Sequence, residues 1–523
     1  MSRSTSKVTP LADAIATIRD GDMVASVGVN GWLVPNALLK GIGDRFAAGR
    51  GPRGLSFFFP VGVGDALDIK GMDYVAREGL IKRVISGHYI NPLDPRTGRK
   101  AEMMRLINEN AIEAYAWPIG ATMHWLREVA RRGPGYLTKV GLGTFIDPRL
   151  DGGRLNARTQ DDIVEVRTFG GEEYLFYPRF PLDVALLRAS AADELGNLSL
   201  TDEPLHSSSL ALALATKACG GRVIAQVKEI IPVASRPAEQ MHIPGALVDQ
   251  VVVDPTAMMN TDVVFDARYL GGTLDPRNLD VVPPGIDRVI ARRAAKEVRE
   301  GDVSIFGFGL ATSIPLILAE QGQFADGGIH RHRHTTEHGV FGGIVMSGWQ
   351  FSANLFPEAL IDGPYQFDFI NGGNCPFAAL SFAQLDAEGN LNVSKFAGFS
   401  PGSGGFIDIA SNARRLVFVG TFTAGGLKAQ PGNGRLAIAE EGRIRKFVRH
   451  ADQVTYPVGR GVAERGQEAM VITERAVFTC TADGMTLTEI ADGVDLERDI
   501  RGQVEFPIAV SDRLRLMDPD LFR

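Results

Sequence analysis

Two stretches of the chain repeat one pattern, and this repeat constrains the fold more than any other feature. Residues 18–39 and 298–319 each contain an acidic-Gly-Asp turn, an apolar run, a glycine-bearing loop and then a proline, Pro35 or Pro315. Proline suits the first turn of a helix, because its missing N–H has no partner there. Each copy therefore predicts a strand, a glycine loop and a helix, and two copies predict two related α/β halves.

A second echo supports the duplication. The segments 193–198 and 386–391 both read Asp-x-x-Gly-Asn-Leu, a polar turn that joins two strands. Adjacent prolines in 282–285 break helices, and an amphipathic helix is predicted from about Arg288 to Arg299. We therefore predict one domain over residues 1–283 and a second over residues 284–523.

Strand and helix patterns alternate along both halves. Buried strands are predicted at Val223–Ile231, Gln250–Val253 and Leu416–Val419, and a helix is predicted at Ser209–Cys219. This alternation predicts two open α/β domains with largely parallel sheets.

Composition excludes several classes of function. Of 523 residues, 45% are hydrophobic and 22% are charged, as in soluble globular proteins, and the net charge of −7 argues against nucleic acid or an anionic membrane as partner. The N-terminus has no signal-like apolar stretch, and no apolar run approaches about 18 residues. We therefore expect a soluble, cytoplasmic protein. Three cysteines without CxxC spacing predict no disulfides, and Cys375 is either a packing residue or a candidate nucleophile.

A glycine loop follows the apolar run of the second repeat. It comprises Gly307, Phe308, Gly309, Leu310 and Ala311. Glycines allow close approach of a ligand, and a following helix N-terminus attracts phosphate. The dinucleotide fingerprint and the P-loop lysine are both absent, so a phosphate site and a structural turn remain equally open.

A histidine-rich segment precedes a single glutamate. If residues 329–336 form a strand, His330, His332 and His334 share one face, where they could bind zinc or line a polar cleft. No further ligand spacing completes a metal site, so we expect no metal. Glu337 then lies at a strand end, where α/β proteins place reacting groups, although a surface carboxylate is the simpler interpretation.

A third glycine cluster covers residues 400–408. Its backbone amides, at Gly404 and Gly405 among others, could stabilise an oxyanion, or the segment could be a surface loop.

Seven segments, taken in their order along the chain, help to decide between these alternatives. They lie at 138–148, 243–249, 336–343, 389–396, 404–409, 420–426 and 473–478. Together they resemble family I CoA-transferases, in particular the single-chain acetate, propionate and 3-oxoacid CoA-transferases, over nearly the whole chain. The resemblance implies an internally duplicated fold that uses coenzyme A as a substrate, has no permanently bound cofactor and acts on an acyl-CoA and a small carboxylic acid. It also suggests a homodimer or homotetramer.

The resemblance assigns roles to residues. It implies that Glu337 is the nucleophile that forms a glutamyl-CoA thioester, that Gly307 to Ala311 meet CoA, and that Gly404 or Gly405 contributes an oxyanion-hole amide. Related transferases carry a Pro-Gln-Gly segment whose glutamine also holds the oxyanion, whereas this chain has Ile119 in Trp117-Pro118-Ile119-Gly120.

Isoleucine has no donor, so another group must replace the glutamine or the reaction must differ. His332, His334 or His338 is a candidate for the missing donor or for a general base. The leading prediction is a CoA-transferase. The alternatives are an acyl-CoA or ring-cleaving thioester hydrolase on the same fold, and a non-catalytic CoA-binding protein.

Overall fold

The computed structural model describes residues 6–64, 67, 70–89, 94, 96–396, 398–482 and 484–523. The first five residues, part of the predicted domain 1–283 and of the segment judged to lack a signal peptide, lie outside the described residues.

The N-terminal half is built on a parallel sheet. Its strands are β1 (Met23–Ser26), β2 (Leu55–Phe59), β3 (Ile81–Ser86), β4 (Glu113–Ala116), β5 (Gly135–Thr138), β6 (Glu165–Phe169), β7 (Glu172–Pro178), β8 (Val184–Asp193), β9 (Leu198–Ser199), β10 (Arg222–Ile231) and β11 (Gln250–Val253). Its helices are α1 (Leu11–Ala16), α2 (Asn36–Ala47), α3 (Glu102–Asn108), α4 (Ile119–Ala130) and α5 (Ser209–Ala218).

The strand order of this sheet is β11-β10-β8-β1-β2-β3-β4, and each neighbouring pair is parallel. Every residue of β2 and of β8 is buried. Such continuous burial is typical of parallel strands that are covered on both faces.

The C-terminal half has a mixed sheet. Its strands are β12 (Val303–Phe306), β13 (Arg333–Thr335), β14 (Val340–Phe341), β15 (Ile344–Val345), β16 (Asn354–Leu355), β17 (Ala359–Leu360), β18 (Phe377–Ser381), β19 (Gln384–Asp386), β20 (Asn390–Asn392), β21 (Arg415–Val419), β22 (Thr423–Ala424), β23 (Lys428–Gly432), β24 (Arg435–Glu440), β25 (Ile444–Arg445), β26 (Phe447–Val448), β27 (Tyr456–Pro457), β28 (Glu468–Ile472), β29 (Ala476–Thr481), β30 (Gly484–Ile490) and β31 (Ala509–Leu516). Its helices are α6 (Ile286–Ala295), α7 (Ile314–Glu320), α8 (Gly328–Arg331), α9 (Gly363–Asn371), α10 (Phe406–Asn412) and α11 (Val458–Arg465).

The order of the larger sheet here is β17-β14-β13-β12-β18-β21-β28-β29-β30-β31. The central strands β13, β12, β18, β21 and β28 pair in parallel. Strands β14 and β17 at one edge, and β29 and β30 towards the other, join in antiparallel pairs. The predicted α/β class is confirmed, with a parallel centre and antiparallel flanks in this half.

The repeat is visible in the structure. Strand β1 lies between β8 and β2, and β12 lies between β13 and β18, so each copy supplies an interior strand. Pro35 directly precedes α2, and Pro315 is the second residue of α7. The predicted helix from Arg288 to Arg299 is observed at Ile286–Ala295. A domain boundary near residues 282–285 remains a prediction.

The predicted strand over residues 329–336 is wrong. The chain turns at Gly327, whose φ is +76°, forms the short helix α8 and enters β13 only at Arg333. The alternation of histidine and arginine imitates a strand period, but only three residues pair with β12. His330, His332 and His334 therefore do not form one strand face. Among the described residues, no helix combines the length and apolarity needed to cross a membrane.

Candidate active site

A cavity of about 690 Å³ lies between the two halves and is lined mostly by apolar side chains. The loops that reach it follow strands β1, β2, β3 and β4 of one sheet and β12, β13 and β18 of the other. The carboxyl ends of parallel strands are where α/β folds bind ligands. Residues on these loops that line the cavity are Asn30, Val61, His88, Ile119, Gly307, Phe308, Glu337, His338 and Phe382.

Glu337 projects into this cavity from a tight turn between β13 and β14. The N–H of Thr336 donates to the carbonyl of Val340 (3.1 Å), and the buried Gln366 amide donates to the carbonyl of Thr336 (2.7 Å). Gly339 has a φ of +92°, and a Cβ placed on it would lie 1.9 Å from the carbonyl oxygen of Ile361, so glycine is required there. The turn therefore holds Glu337 in one position.

The Glu337 carboxylate packs against Gly405. A Cβ placed on Gly405 would lie 1.8 Å from Oε2 of Glu337, so the two groups can coexist only because Gly405 has no side chain. The side chain of Glu337 is 14% exposed. A carboxylate held in this way is oriented and largely shielded from water, which are the conditions that make it an effective nucleophile.

The two predicted oxyanion glycines differ. The N–H of Gly404 donates to the carbonyl of Gly87 (3.0 Å), and its own carbonyl accepts from the N–H of Ile119 (3.0 Å). Gly404 therefore connects the two halves. Gly405 directly precedes α10 as its N-cap, and its N–H makes no hydrogen bond to any residue that the structure describes. Of the two glycines, Gly405 is therefore the one whose N–H is not already used within the described residues, and its oxyanion role stays a prediction.

The three histidines proposed as auxiliary residues separate in the structure. His338 lines the cavity, with Nε2 3.4 Å from Oε1 of Glu337. The ring of His334 packs against Phe306 and Phe324, its Nδ1 contacts the carbonyl oxygen of Gly343 (3.1 Å), and burial lowers its pKa to about 3.

His332 is also buried beside Phe324, and neither His332 nor His334 is among the residues that line the cavity. The helical turn of α8 and the short β13 set both histidines outside the cavity lining, and an auxiliary role for either stays a prediction without a contact to support it. His330 is exposed and pairs with Glu358. In the described part of the chain, no group of three or more His, Cys, Asp or Glu is placed to hold a metal ion.

Two residues of the predicted CoA loop face the cavity. Gly307 and Phe308 line it, and the ring of Phe308 is 47% exposed. The Ser381 hydroxyl donates to the carbonyl of Phe308 (2.9 Å), which holds the loop against β18. Gly309 instead precedes a short 3₁₀ turn that contains Leu310 and Ala311, and Ala311 is fully buried.

Ile119 is the residue that the resemblance sets where related transferases carry glutamine. It is 1% exposed, lines the cavity and begins α4. Next to it, the N–H of Gly120 donates to Oδ2 of Asp408 on α10 (3.0 Å). Burial raises the pKa of Asp408 to about 7, and the nearby Glu337 carboxylate adds to this effect.

The sequence did not single out His88 or Lys446, which also line the cavity. His88 follows the carboxyl end of β3, and the strand-end rule that selected Glu337 could have found it. Lys446 is 7% exposed, its ammonium lies 3.8 Å from the ring centroid of Phe382, and burial lowers its pKa to about 8. Cys375 is buried outside the cavity with its pKa raised to about 12 by burial, so it is a packing residue.

Comparisons with known proteins agree with this geometry. Residues 8–254 match the family profile described as coenzyme A transferase. The chain is 38% identical over 513 residues to the acetate CoA-transferase YdiF of Escherichia coli (strain K12), which covers 98% of this chain and 94% of that protein. It is also 38% identical over 521 residues to the caffeate CoA-transferase of Acetobacterium woodii, covering 98% and 96%.

The fold has a solved counterpart. A crystal structure of an acyl-CoA transferase from Escherichia coli O157:H7, in a thioester complex with CoA, superposes with a TM-score of 0.90 at 35% identity, covering 99% of this chain and 96% of that chain. With strong similarity over nearly the full length of both relatives, the chain belongs to the family I CoA-transferases, as a member that carries both halves on one polypeptide.

Proposed function

We propose that this CoA-transferase moves CoA between small carboxylic acids through a glutamyl-CoA thioester on Glu337, in a ping-pong sequence. The observation that carries the proposal is the position of the Glu337 carboxylate, held by a rigid turn in the cavity between the halves and packed against Gly405.

In the first step, a carboxylate oxygen of Glu337 attacks the carbonyl carbon of the acyl-CoA. The carbon–sulfur bond breaks, and the products are a mixed anhydride and CoA thiolate. The thiolate then attacks the glutamyl carbonyl carbon and releases the first acid as its carboxylate. A second carboxylate reverses both steps and leaves as the new acyl-CoA, so the thioester energy is retained and no net proton is consumed.

The residues around Glu337 serve these steps. We expect the N–H of Gly405, which makes no hydrogen bond to the described residues, to stabilise the tetrahedral oxyanion. Gly307 and Phe308 are placed to meet the CoA portion, and contacts with that distant portion can offset strain at the reacting carbonyl.

The relatives guide the choice of acid. One is an acetate CoA-transferase, another is a caffeate CoA-transferase, and a third was crystallised as a thioester complex with CoA. We therefore propose monocarboxylic acids as substrates and acetate as the first to test. The hydrolase alternative has no support among these relatives, which are transferases.

The test compares net thiol release with acyl exchange. Native protein given acetyl-CoA and labelled propionate should form propionyl-CoA without net release of CoA thiol. Glu337→Gln removes the nucleophilic carboxylate and should lower exchange by at least about 1000-fold. Glu440→Gln, at an exposed residue of β24, is the matched control and should exchange at the native rate. Exchange by the Glu337→Gln variant at the native rate would disprove the proposal.

Assembly and location complete the proposal. We infer a cytoplasmic homodimer or homotetramer that needs no permanently bound cofactor. Light scattering measures the assembly, and activity after exhaustive dialysis against chelator tests independence from a cofactor; a monomer, or a loss of activity restored by added metal, would contradict these inferences.

A further inference from the structure

His88 reaches the cavity from the N-terminal half, directly after strand β3. The hydroxyl of Ser86 donates to the carbonyl of His88 (2.6 Å), which fixes the backbone of this turn. A Cβ placed on Gly62 would lie 2.7 Å from the His88 carbonyl oxygen and 3.0 Å from its Nδ1, so the imidazole rests against a glycine that leaves it space. The surrounding backbone therefore fixes the position of the His88 ring.

The imidazole lies beside the same glycine pair that packs against Glu337. A Cβ placed on Gly404 would lie 3.9 Å from Cδ2 of His88, and one placed on Gly405 would lie 1.8 Å from Oε2 of Glu337. The bond from the N–H of Gly404 to the carbonyl of Gly87 (3.0 Å) connects the two segments next to these groups. The ring of His88 and the nucleophile therefore flank one turn of the chain.

His88 has a proton to donate. Burial lowers its pKa to about 4, a shift that Glu337 opposes and His338 reinforces, so the imidazole is neutral at pH 7 and carries one N–H. Neither ring nitrogen makes a hydrogen bond to any residue that the structure describes, in contrast to His334, whose Nδ1 contacts the carbonyl oxygen of Gly343. A neutral ring with unused nitrogens at a cavity wall is suited to a ligand.

The reaction needs a hydrogen-bond donor and not a general base. Each half-reaction exchanges a thiolate and a carboxylate without net proton transfer, so a histidine has no proton to relay. The tetrahedral intermediate does carry a new negative charge on the former carbonyl oxygen, and Gly405 supplies one donor for it. Ile119, at the position of the family's glutamine, cannot supply another.

We propose that His88 is a catalytic residue that donates a hydrogen bond from its imidazole N–H to the developing oxyanion, in the role left vacant by Ile119. The inference rests on the proposed thioester route at Glu337. In this inference, the auxiliary role belongs to His88 of the opposite half and not to the histidines that are close to Glu337 in sequence. The bond strengthens as charge develops, so it acts on turnover more than on substrate binding.

The test uses two variants of similar side-chain length. His88→Met has no donor and should lower kcat for acetyl-CoA:propionate exchange by about 100- to 1000-fold, with KM for both substrates close to native. His88→Gln carries an amide donor and should recover most of the native kcat. His450→Gln, on an exposed turn, is the matched control and should be native in rate. A Met variant as fast as the Gln variant, whether both are active or both impaired, would overturn the proposal.

A measurement on the unsubstituted protein covers the case in which a variant fails to fold. A crystal structure with a ketone analogue of acetyl-CoA, in which a methylene replaces the sulfur, should place a ring nitrogen of His88 within about 3.2 Å of the analogue's carbonyl oxygen. A separation too long for a hydrogen bond would overturn the proposal. Borohydride labelling of native Glu337 after acetyl-CoA tests the thioester route separately, so failure of that route and failure of the His88 role give different results.

Discussion

The two copies of the repeated glycine loop have different uses. The first follows β1, and two of its side chains are hydrogen-bonded to the opposite half. Nδ2 of Asn30 donates to Oγ of Ser352 (3.0 Å), and Nε1 of Trp32 donates to the carbonyl of Phe351 (3.1 Å). Trp32 is fully buried. The second follows β12 and remains open, with the Phe308 ring 47% exposed at the cavity.

The comparison teaches that a repeated motif does not repeat its function. Both loops leave an interior strand at its carboxyl end and both reach the cavity. Side chains of the first loop are hydrogen-bonded to the opposite half, whereas Phe308 of the second loop is exposed at the cavity. The two halves also differ in what they bring to the cavity, because the C-terminal half contributes Glu337 and Gly405 whereas the N-terminal half contributes His88 and Ile119. The candidate site is therefore composite, and the predictions below test which half contributes to binding, to catalysis or only to stability.

Catalytic geometry on the C-terminal side predicts the largest effect. Gly405→Ala places a methyl group where the Glu337 carboxylate lies, so the nucleophile must move. A displacement of about 1 Å can cost about 100-fold in rate, and we expect at least that loss in kcat. The control is Gly432→Ala, where a Cβ meets nothing within 4 Å, and it should leave kcat unchanged. Native kcat in the Gly405 variant would place the reacting carboxylate elsewhere.

The contact between the halves at Asp408 predicts a pH-dependent stability. Burial raises the folded-state pKa of Asp408 from 3.8 to about 7, so the folded protein binds more protons and stability is lost as pH rises between these values. The cost is up to about 1.4 kcal/mol per pH unit. Asp408→Asn keeps an acceptor for the N–H of Gly120 and removes the charge. In thermal melts, the amount by which its Tm exceeds the native Tm should be larger at pH 8 than at pH 5; equal differences at both values would contradict this assignment.

The open loop predicts a smaller effect on binding. Phe308→Ala removes apolar surface at the cavity and should raise KM for acetyl-CoA by about 10-fold, with kcat less affected. Phe169→Ala is the matched control, because that ring is 70% exposed on the hairpin of β6 and β7. If the KM of the Phe308 variant stayed native, the second loop would be structural like the first.

The closed loop predicts an effect on stability alone. Trp32→Phe removes the hydrogen bond to the carbonyl of Phe351, and we expect the free energy of unfolding to fall by about 1 kcal/mol while KM for acetyl-CoA stays native. Tyr365→Phe, at a tyrosine that is 58% exposed, is the control for urea unfolding. A changed KM in the Trp32 variant would remove the distinction between the two loops.

Local sequence patterns were sufficient to predict much of the fold. The repeat located β1 and β12, and apolar runs located β10, β11 and β21, because buried parallel strands have a strong and local signal. The strand predicted at 329–336 failed, since alternation of His and Arg has the strand period whereas Gly327 permits a turn that begins α8 instead.

The site was predictable only in part. The resemblance selected Glu337, and the structure brings it to the cavity with Gly405, although the catalytic roles of both remain proposals. The amide of Gly404 is hydrogen-bonded to the carbonyl of Gly87, which is more than 300 residues away in sequence. No local pattern could reveal this bond. His88 follows the carboxyl end of β3 and was within reach of the strand-end rule, whereas Lys446 is recognised as a site residue only in the folded structure.

The most direct test of the central claim is chemical trapping of the acylated enzyme. Native protein is incubated with acetyl-CoA, treated with borohydride, digested and analysed by mass spectrometry. A thioester is reduced by borohydride whereas a free carboxylate is not, so Glu337 should be converted to the corresponding alcohol, with loss of activity, only in the sample that contained acetyl-CoA. Active transfer without reduction at Glu337, or with reduction at another residue, would contradict the account.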